Sequence, residues 1–142
     1  MRRIWNGKLA LVAVLALWVL LARFVTGCTQ NTAPEKLRDL DFTVVGDSEV
    51  PAELQGIIAE KKAAPFKLTY TDGQNLYIVQ GYGEQETGGY SIAVHQLYLT
   101  EGSIVFQAEL MGPQKGEDGG TETSYPYIVI KTEFLEEPVV FQ

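Results

Sequence analysis

The sequence predicts a mainly β domain of the α+β class, an antiparallel sheet or sandwich with one short amphipathic helix near its N-terminus, behind a lipoprotein signal peptide. A basic and then apolar leader occupies residues 1–27 and leaves about 115 of the 142 residues for folding, which is the size of one domain. Beyond residue 65, apolar and polar residues alternate in short runs between turns. Only residues 51–62 repeat their apolar residues at helical spacing. We therefore expect a single globular domain over residues 39–142.

The leader has the features of a secretory signal. Three basic residues lie within the first eight positions, and residues 9–22 carry no charged or strongly polar side chain, as in the n-region and h-region of an exported protein. The run ends in residues 25–28 (VTGC), which resemble the bacterial lipoprotein box. In that pattern the cysteine receives a diacylglyceryl group. We therefore expect Cys28 to be lipidated and to become the first residue of the mature protein.

Lipidation of Cys28 predicts the location of the domain. Residues 28–38 would form a tether, and the domain would lie at the extracytoplasmic face of the cell membrane, because stable anchoring takes two or more acyl chains. The alternative is an uncleaved signal anchor, which Arg23, a charge close to the cysteine, favours. Both interpretations export the domain.

The first two elements follow the tether. A half-buried first strand is predicted by alternation, with one face formed by Leu40, Phe42 and Val44. Pro51 then suits the first turn of a helix, where its missing N–H costs nothing. Leu54 and Ile58 recur at helical spacing, and the helix is expected to run through Lys62.

Strands and turns make up the rest of the sequence. Residues 66–70 and 76–82 alternate around Asp72-Gly73, a turn that tolerates positive φ, and predict a hairpin. In residues 90–99 the apolar phase shifts, which predicts a β-bulge near His95-Gln96.

The last strands are separated by a polar loop. Residues 104–110 form a strand with one wet side, and residues 112–124 are a polar connection rich in glycine. Residues 125–130 open the last strong strand, and residues 134–142 are expected to add an edge strand or cap.

The charge of the domain excludes one class of partner. After Cys28 the chain carries seven basic and eighteen acidic residues, a net charge of −11. Nucleic acids are bound through clustered Lys and Arg, and the longest basic run here is Lys61-Lys62. We therefore expect no nucleic-acid partner. With Cys28 as its only thiol, the exported domain also has no disulfide.

No set of residues predicts catalysis, a metal or a cofactor. His95 is the only imidazole, and the nearest serine, Ser91, is about 13 Å away along an extended strand. Glu84 and Glu86 share one loop and cannot face each other across a sugar. The loop acids lack the spacing of an EF-hand, and the glycines of residues 81–89 lead into a strand rather than into a phosphate-binding helix. The sequence predicts a protein that is not an enzyme.

Tyrosines flank the glycine-rich loop at residues 83–90. Tyr82 precedes this loop and Tyr90 ends it, and a rigid amphipathic ring beside a loop is a usual arrangement for binding a partner chain. The alternative role of these rings is packing within the sheet.

Three segments carry a family resemblance. Residues 77–92 (YIVQGYGEQETGGYSI) contain a Thr-Gly-Gly-Tyr turn, Gly112-Pro113 follows, and residues 125–131 (YPYIVIK) start the last strand with Tyr-Pro-Tyr. In this order they resemble the C-terminal domain of the PrcB family of protease-complex subunits, over residues 76–131. The turn is also similar to the loop that chagasin-like inhibitors place in cysteine-protease clefts.

The resemblance implies a function and a binding surface. Members of the family look like exported, often lipid-anchored accessory proteins that associate with a surface protease and stabilise it. We therefore expect a lipid-anchored accessory protein that binds a protein partner. The alternatives are a cell-wall glycan or small-ligand binding module, a protease inhibitor and a small hydrolase. The residues expected to bind the partner are Tyr82, Glu84, Thr87, Gly88, Gly89, Tyr90, Tyr125 and Tyr127.

Overall fold

Short alternating runs of sequence form eight strands in the computed structural model, which describes residues 33–142. The predicted signal peptide and Cys28 lie outside the described residues. In chain order the elements are β1 (Arg38–Asp39), β2 (Phe42–Val44), α1 (Ala52–Lys61), β3 (Pro65–Thr71), β4 (Asn75–Tyr82), β5 (Ser91–Leu99), β6 (Ile104–Met111), β7 (Tyr127–Glu133) and β8 (Val139–Phe141), with a 3-10 turn at Asp47–Glu49 before α1. None of the helices described for residues 33–142 is long and apolar enough to cross a membrane.

The strands pair into two four-stranded sheets. Sheet A has the order β1-β5-β6-β8, and sheet B has the order β2-β7-β4-β3. Every pairing is antiparallel except that of β6 with β8, which is parallel. The predicted fold class, mainly antiparallel β with one helix, is confirmed.

Two apolar clusters share the central strands of sheet B. Because side chains alternate along a strand, Ile78 of β4 faces sheet A and its neighbour Val79 faces α1. The cluster between the sheets includes the fully buried Phe106, and the cluster under the helix includes Leu54 and Ile58. The molecule thus has sheet A, sheet B and α1 as three successive layers.

The helix and the hairpin agree with their sequence patterns. Helix α1 starts directly after Pro51 and buries Leu54 and Ile58, the predicted apolar positions. Strands β3 and β4 pair from Pro65 to Tyr82 around a turn in which Gly73 has positive φ. The Asp72 carboxylate accepts hydrogen bonds from the backbone N–H groups of Gln74 and Asn75, at 2.9 and 2.7 Å. These bonds fix the turn locally.

The bulge and the edge strand are also present. The register of β5 against β6 shifts between Val94 and Gln96, which leaves His95 as the extra residue of a β-bulge. Strand β8 lies at the edge of sheet A, as expected for the C-terminal segment.

The predicted burial of the first strand is wrong. Leu40 is buried, but Phe42 and Val44 are 39% and 57% exposed. Leu40 lies between β1 and β2, where the chain passes from sheet A to sheet B. The register puts Val44 opposite Ile130, but β2 is the edge strand of sheet B and its side chains remain exposed.

Candidate partner-binding site

The glycine-rich loop 83–90 is held against loop 112–124. Gln85 and Ser124 exchange two backbone hydrogen bonds of 2.8 and 3.0 Å, and the Gly88 N–H donates to the Gly119 carbonyl at 2.9 Å. The Ser124 hydroxyl donates to the Thr87 carbonyl at 2.6 Å. These bonds join two loops that are far apart in sequence into one surface, called here the loop pair.

Glycines allow the two loops to approach closely. A Cβ atom at Gly119 would lie 2.7 Å from the Gly88 carbonyl oxygen, and one at Gly89 would lie 3.2 Å from Pro113 Cβ. Real Cβ atoms do not tolerate the first distance and rarely the second. The close packing of the two loops therefore requires glycine in the Thr87-Gly88-Gly89 turn and at Gly119.

The start of loop 83–90 is fixed against the beginning of β3. Gly83 has a φ of +74°, and a Cβ atom there would lie 2.8 Å from Pro65 Cδ. The Glu84 N–H donates to the Ala63 carbonyl at 3.3 Å. Only glycine fits this position without strain, so the direction in which the loop leaves β4 is determined locally.

The outer surface of the loop pair is polar and acidic. Glu84, Glu86 and Gly89 are exposed, and the Tyr90 ring is half-buried at the border with Gly112. In the second loop Glu117 and Asp118 are exposed, and their carboxylates accept backbone hydrogen bonds within that loop. A protein that docks here meets a negative surface and needs basic groups of its own.

Tyr125 connects the loop pair to the end of α1. Its hydroxyl donates to Glu84 Oε2 at 3.1 Å, and Lys62 Nζ lies 5.6 Å from the centre of its ring. The hydrogen bond to Glu84, followed by the negative charge of that carboxylate, raises the pKa of Tyr125. These two contacts, with the Glu84 carboxylate at the hydroxyl and the Lys62 ammonium group over the ring, fix the orientation of the Tyr125 side chain.

Tyr82 has a different environment. Its hydroxyl is buried and has no hydrogen-bond partner among the described residues, and the same holds for Gln80 Oε1. Burial, with a smaller contribution from the charge of Glu109, raises the pKa of Tyr82. A buried polar atom without a partner is uncommon in folded proteins and costs free energy.

Tyr127 lies away from the loop pair. Its hydroxyl donates to Asp47 Oδ1 at 2.8 Å beside α1, and burial together with this bond raises the pKa of Tyr127 to about 12. The ring packs against the apolar cluster under the helix.

The structure therefore divides the eight predicted residues into groups. Six of them lie in or directly beside the loop pair: Glu84, Thr87, Gly88, Gly89, Tyr90 and Tyr125. Tyr82 lies on the face of sheet B toward sheet A, and Tyr127 belongs to the side of the helix.

Several residues of the loop pair could not be identified from the sequence. Ser124, Gly119 and Pro113 hold the two loops together, and Lys62 reaches Tyr125 from the end of the helix. Contacts between irregular segments follow no periodicity, so the sequence signals at these positions are the small size of Gly119 and Ser124 and the Gly112-Pro113 step of the family resemblance.

His95 contacts an acidic side chain on the neighbouring strand of sheet A. Its Nε2 lies 2.9 Å from Glu109 Oε2 on the exposed surface of β5 and β6. Within residues 33–142 no three His, Cys, Asp or Glu side chains are grouped as metal ligands would be.

Comparison with known proteins matches one part of the chain to a protein family. Residues 76–133 match the family described as PrcB C-terminal, a range that contains the central strands of both sheets and both loops of the pair. No curated protein and no solved structure matches the chain significantly. The family match confirms the resemblance drawn from the sequence and identifies residues 76–133 as a domain of the PrcB C-terminal family.

Proposed function

We propose that this chain is an exported, lipid-anchored accessory protein without catalytic activity, which binds a surface protease through the loop pair and stabilises it. The observation that carries the proposal is the PrcB C-terminal match, because it spans both loops and the strands that position them. Lipid attachment at Cys28 would hold the complex at the membrane.

The construction of the loop pair supports a binding role. Its backbone is fixed by hydrogen bonds between the loops and by glycine contacts, while Glu84 and Glu86 remain exposed. A fixed backbone loses little conformational entropy when a partner binds. Half-buried tyrosines beside exposed charges are a common composition of protein interfaces.

The first test compares the wild-type chain with Tyr90→Ala in intact cells. The cells are crosslinked, the chain is isolated from the membrane fraction, and the proteins that co-purify are identified by mass spectrometry. We expect a protease with the wild type and at least tenfold less of it with Tyr90→Ala, because truncating a hot-spot tyrosine costs about 2 kcal/mol or more and about 1.4 kcal/mol is tenfold in affinity. Tyr98→Ala is the matched control, since Tyr98 is half-buried near Lys36 at the far end of β5, the strand that begins directly after Tyr90.

Other results would contradict the proposal. Equal recovery of the protease with wild type and Tyr90→Ala would exclude the loop pair as the interface, provided that circular dichroism shows both variants folded. A chain without any specific protein partner that binds cell-wall glycans would instead be a ligand-binding module. A chain found only in the soluble fraction would contradict the membrane anchor.

A further inference from the structure

Strand β8 covers only part of one edge of sheet A. It pairs with Ile104, Val105 and Phe106 of β6, whereas β5 pairs with β6 as far as Met111. No strand described in residues 33–142 pairs with the remaining part of β6 on the side of β8. Half of one edge of β6 is therefore free.

The backbone groups along this edge are directed outward. The Ile104 N–H donates to the Pro138 carbonyl, and the Gln142 N–H donates to the Phe106 carbonyl, both at 2.9 Å. Because N–H and C=O groups alternate sides along a strand, Ala108 and Leu110 direct theirs to the same edge. Among the described residues these groups have no backbone partner there.

A cavity of about 310 Å³ is lined by residues of β3 and β4, among them Gln80 and Tyr82, whose side chains carry the two buried polar atoms without partners. It is lined by Pro65, Phe66, Lys67, Gln80, Gly81 and Tyr82. The pairing of Lys67 with Gln80 and of Pro65 with Tyr82 puts these four side chains on the face of sheet B toward sheet A.

The cavity and the free edge are neighbours. Lys67 Nζ lies 5.5 Å from the ring centre of Phe141, near the end of β8. Thr69 lies beside Val139 at the start of β8, so Pro65 and Tyr82, the next pair on the same face of sheet B, lie beyond its last residues. The effect of the Glu109 charge on the pKa of Tyr82 is consistent with this position.

We propose that the free edge of β6 is a strand-addition site for an extended segment of the partner protein. The segment would continue the line of β8, pair with Ala108 and Leu110, and cover Gln80 and Tyr82. Unpaired strand edges recruit extended chains through backbone hydrogen bonds, and the side chains that point into pockets give specificity.

The lining defines the chemistry of the segment. Gln80 is 7% exposed and its Oε1 accepts no hydrogen bond, and the Tyr82 hydroxyl is also without a partner. A carboxamide or hydroxyl side chain facing inward could bond to both groups. On the outer face Glu109 is exposed, which favours a basic residue in the segment.

The test uses the purified full chain and a phage-displayed library of random 12-residue peptides. A selected peptide is synthesised, and its affinity is measured by fluorescence polarisation for the wild type and four variants. Ala108→Pro removes the N–H from the free edge, and we expect at least tenfold weaker binding. Thr69→Pro is the matched control, since it places a proline on the edge strand of sheet B, and we expect unchanged affinity.

Tyr82→Phe tests the pocket separately from the backbone. It removes only the hydroxyl that lacks a partner, so we expect three- to tenfold weaker peptide binding with a melting temperature that is unchanged or higher. Tyr70→Phe is its control, because the Tyr70 hydroxyl bonds to Glu53 beside α1. Slower hydrogen exchange at the amides of Ala108 and Leu110 with peptide bound would confirm the site.

Three outcomes would overturn the inference. The first is failure to select any peptide, and the second is equal binding of the peptide to wild type and Ala108→Pro. The third is dimerisation of the wild-type chain that Ala108→Pro abolishes, because the occupant of the edge would then be a second copy of the chain. The inference rests on the proposed function but fails separately from it. Protease recovery in crosslinked cells that Ala108→Pro leaves unchanged would overturn the strand-addition site and leave the accessory role intact.

Discussion

At the scale of single residues, the tyrosine hydroxyls differ in whether they have a hydrogen-bond partner. Tyr127 bonds to Asp47 and Tyr125 bonds to Glu84, whereas the hydroxyl of Tyr82 is buried without a partner. A satisfied hydroxyl stabilises the fold, and an unsatisfied buried one destabilises it. Tyrosine content alone therefore cannot identify which rings bind a partner.

Tyr127→Phe should reduce the loss of stability in alkaline solution. The folded protein keeps the Tyr127 phenol neutral because burial and the bond to Asp47 raise its pKa from the ordinary value of 10.0 to about 12. A raised pKa contributes stability that is fully present below pH 10 and is lost as the pH rises through 12. Urea unfolding between pH 9 and 12 should therefore show a steeper decline for the wild type than for Tyr127→Phe.

The control for this experiment is Tyr98→Phe. This variant also removes one tyrosine hydroxyl but leaves the bond between Tyr127 and Asp47 in place, so it should keep the alkaline decline of the wild type. Parallel curves for wild type and Tyr127→Phe would contradict the rise in the pKa of Tyr127 that burial and the bond to Asp47 produce.

At the scale of elements, the sequence predicted correctly the elements that depend on residues close together in the chain. The β3–β4 hairpin, the helix after Pro51 and the bulge at His95 each depend on residues close together in the chain. The exposure of Phe42 and Val44 depends on which strand lies at the sheet edge, and alternation does not contain that information. The loop pair was missed for the same reason, since its bonds join residues more than thirty positions apart.

Gly83→Ala should destabilise the link between β4 and loop 83–90. An alanine at a φ of +74° costs roughly 1–2 kcal/mol, and its Cβ would lie 2.8 Å from Pro65 Cδ. We expect a loss of about 2–4 kcal/mol in the free energy of unfolding, measured by urea titration. Gly46→Ala is the matched control, because Gly46 has a φ of −74° and no atom within 4 Å of the added Cβ; it should stay within about 0.5 kcal/mol of the wild type. Similar losses in both variants would contradict the geometric explanation.

At the scale of the whole molecule, the two apolar clusters are linked through sheet B. Ile78 and Ile130 pack in one cluster, and their neighbours Val79 and Val129 pack in the other. The family match at residues 76–133 includes these strands but not α1. The helix, which precedes the matched range, therefore completes a core that the matched range does not fill.

Leu54→Ala tests whether the two clusters unfold as one unit. Leu54 is 0% exposed under α1, and its truncation should cost about 2–5 kcal/mol. Since β4 and β7 contribute to both clusters, we expect Leu54→Ala to unfold in a single urea transition, with a midpoint below that of the wild type. The helix signal in circular dichroism and the tyrosine fluorescence should change together. Ile57→Ala on the same helix is the control, because Ile57 is only half-buried and should cost less. If the helix signal of Leu54→Ala is lost at a lower urea concentration than the tyrosine signal, α1 unfolds independently of the sheets. The two sheets that position the loop pair are then stable without the helix.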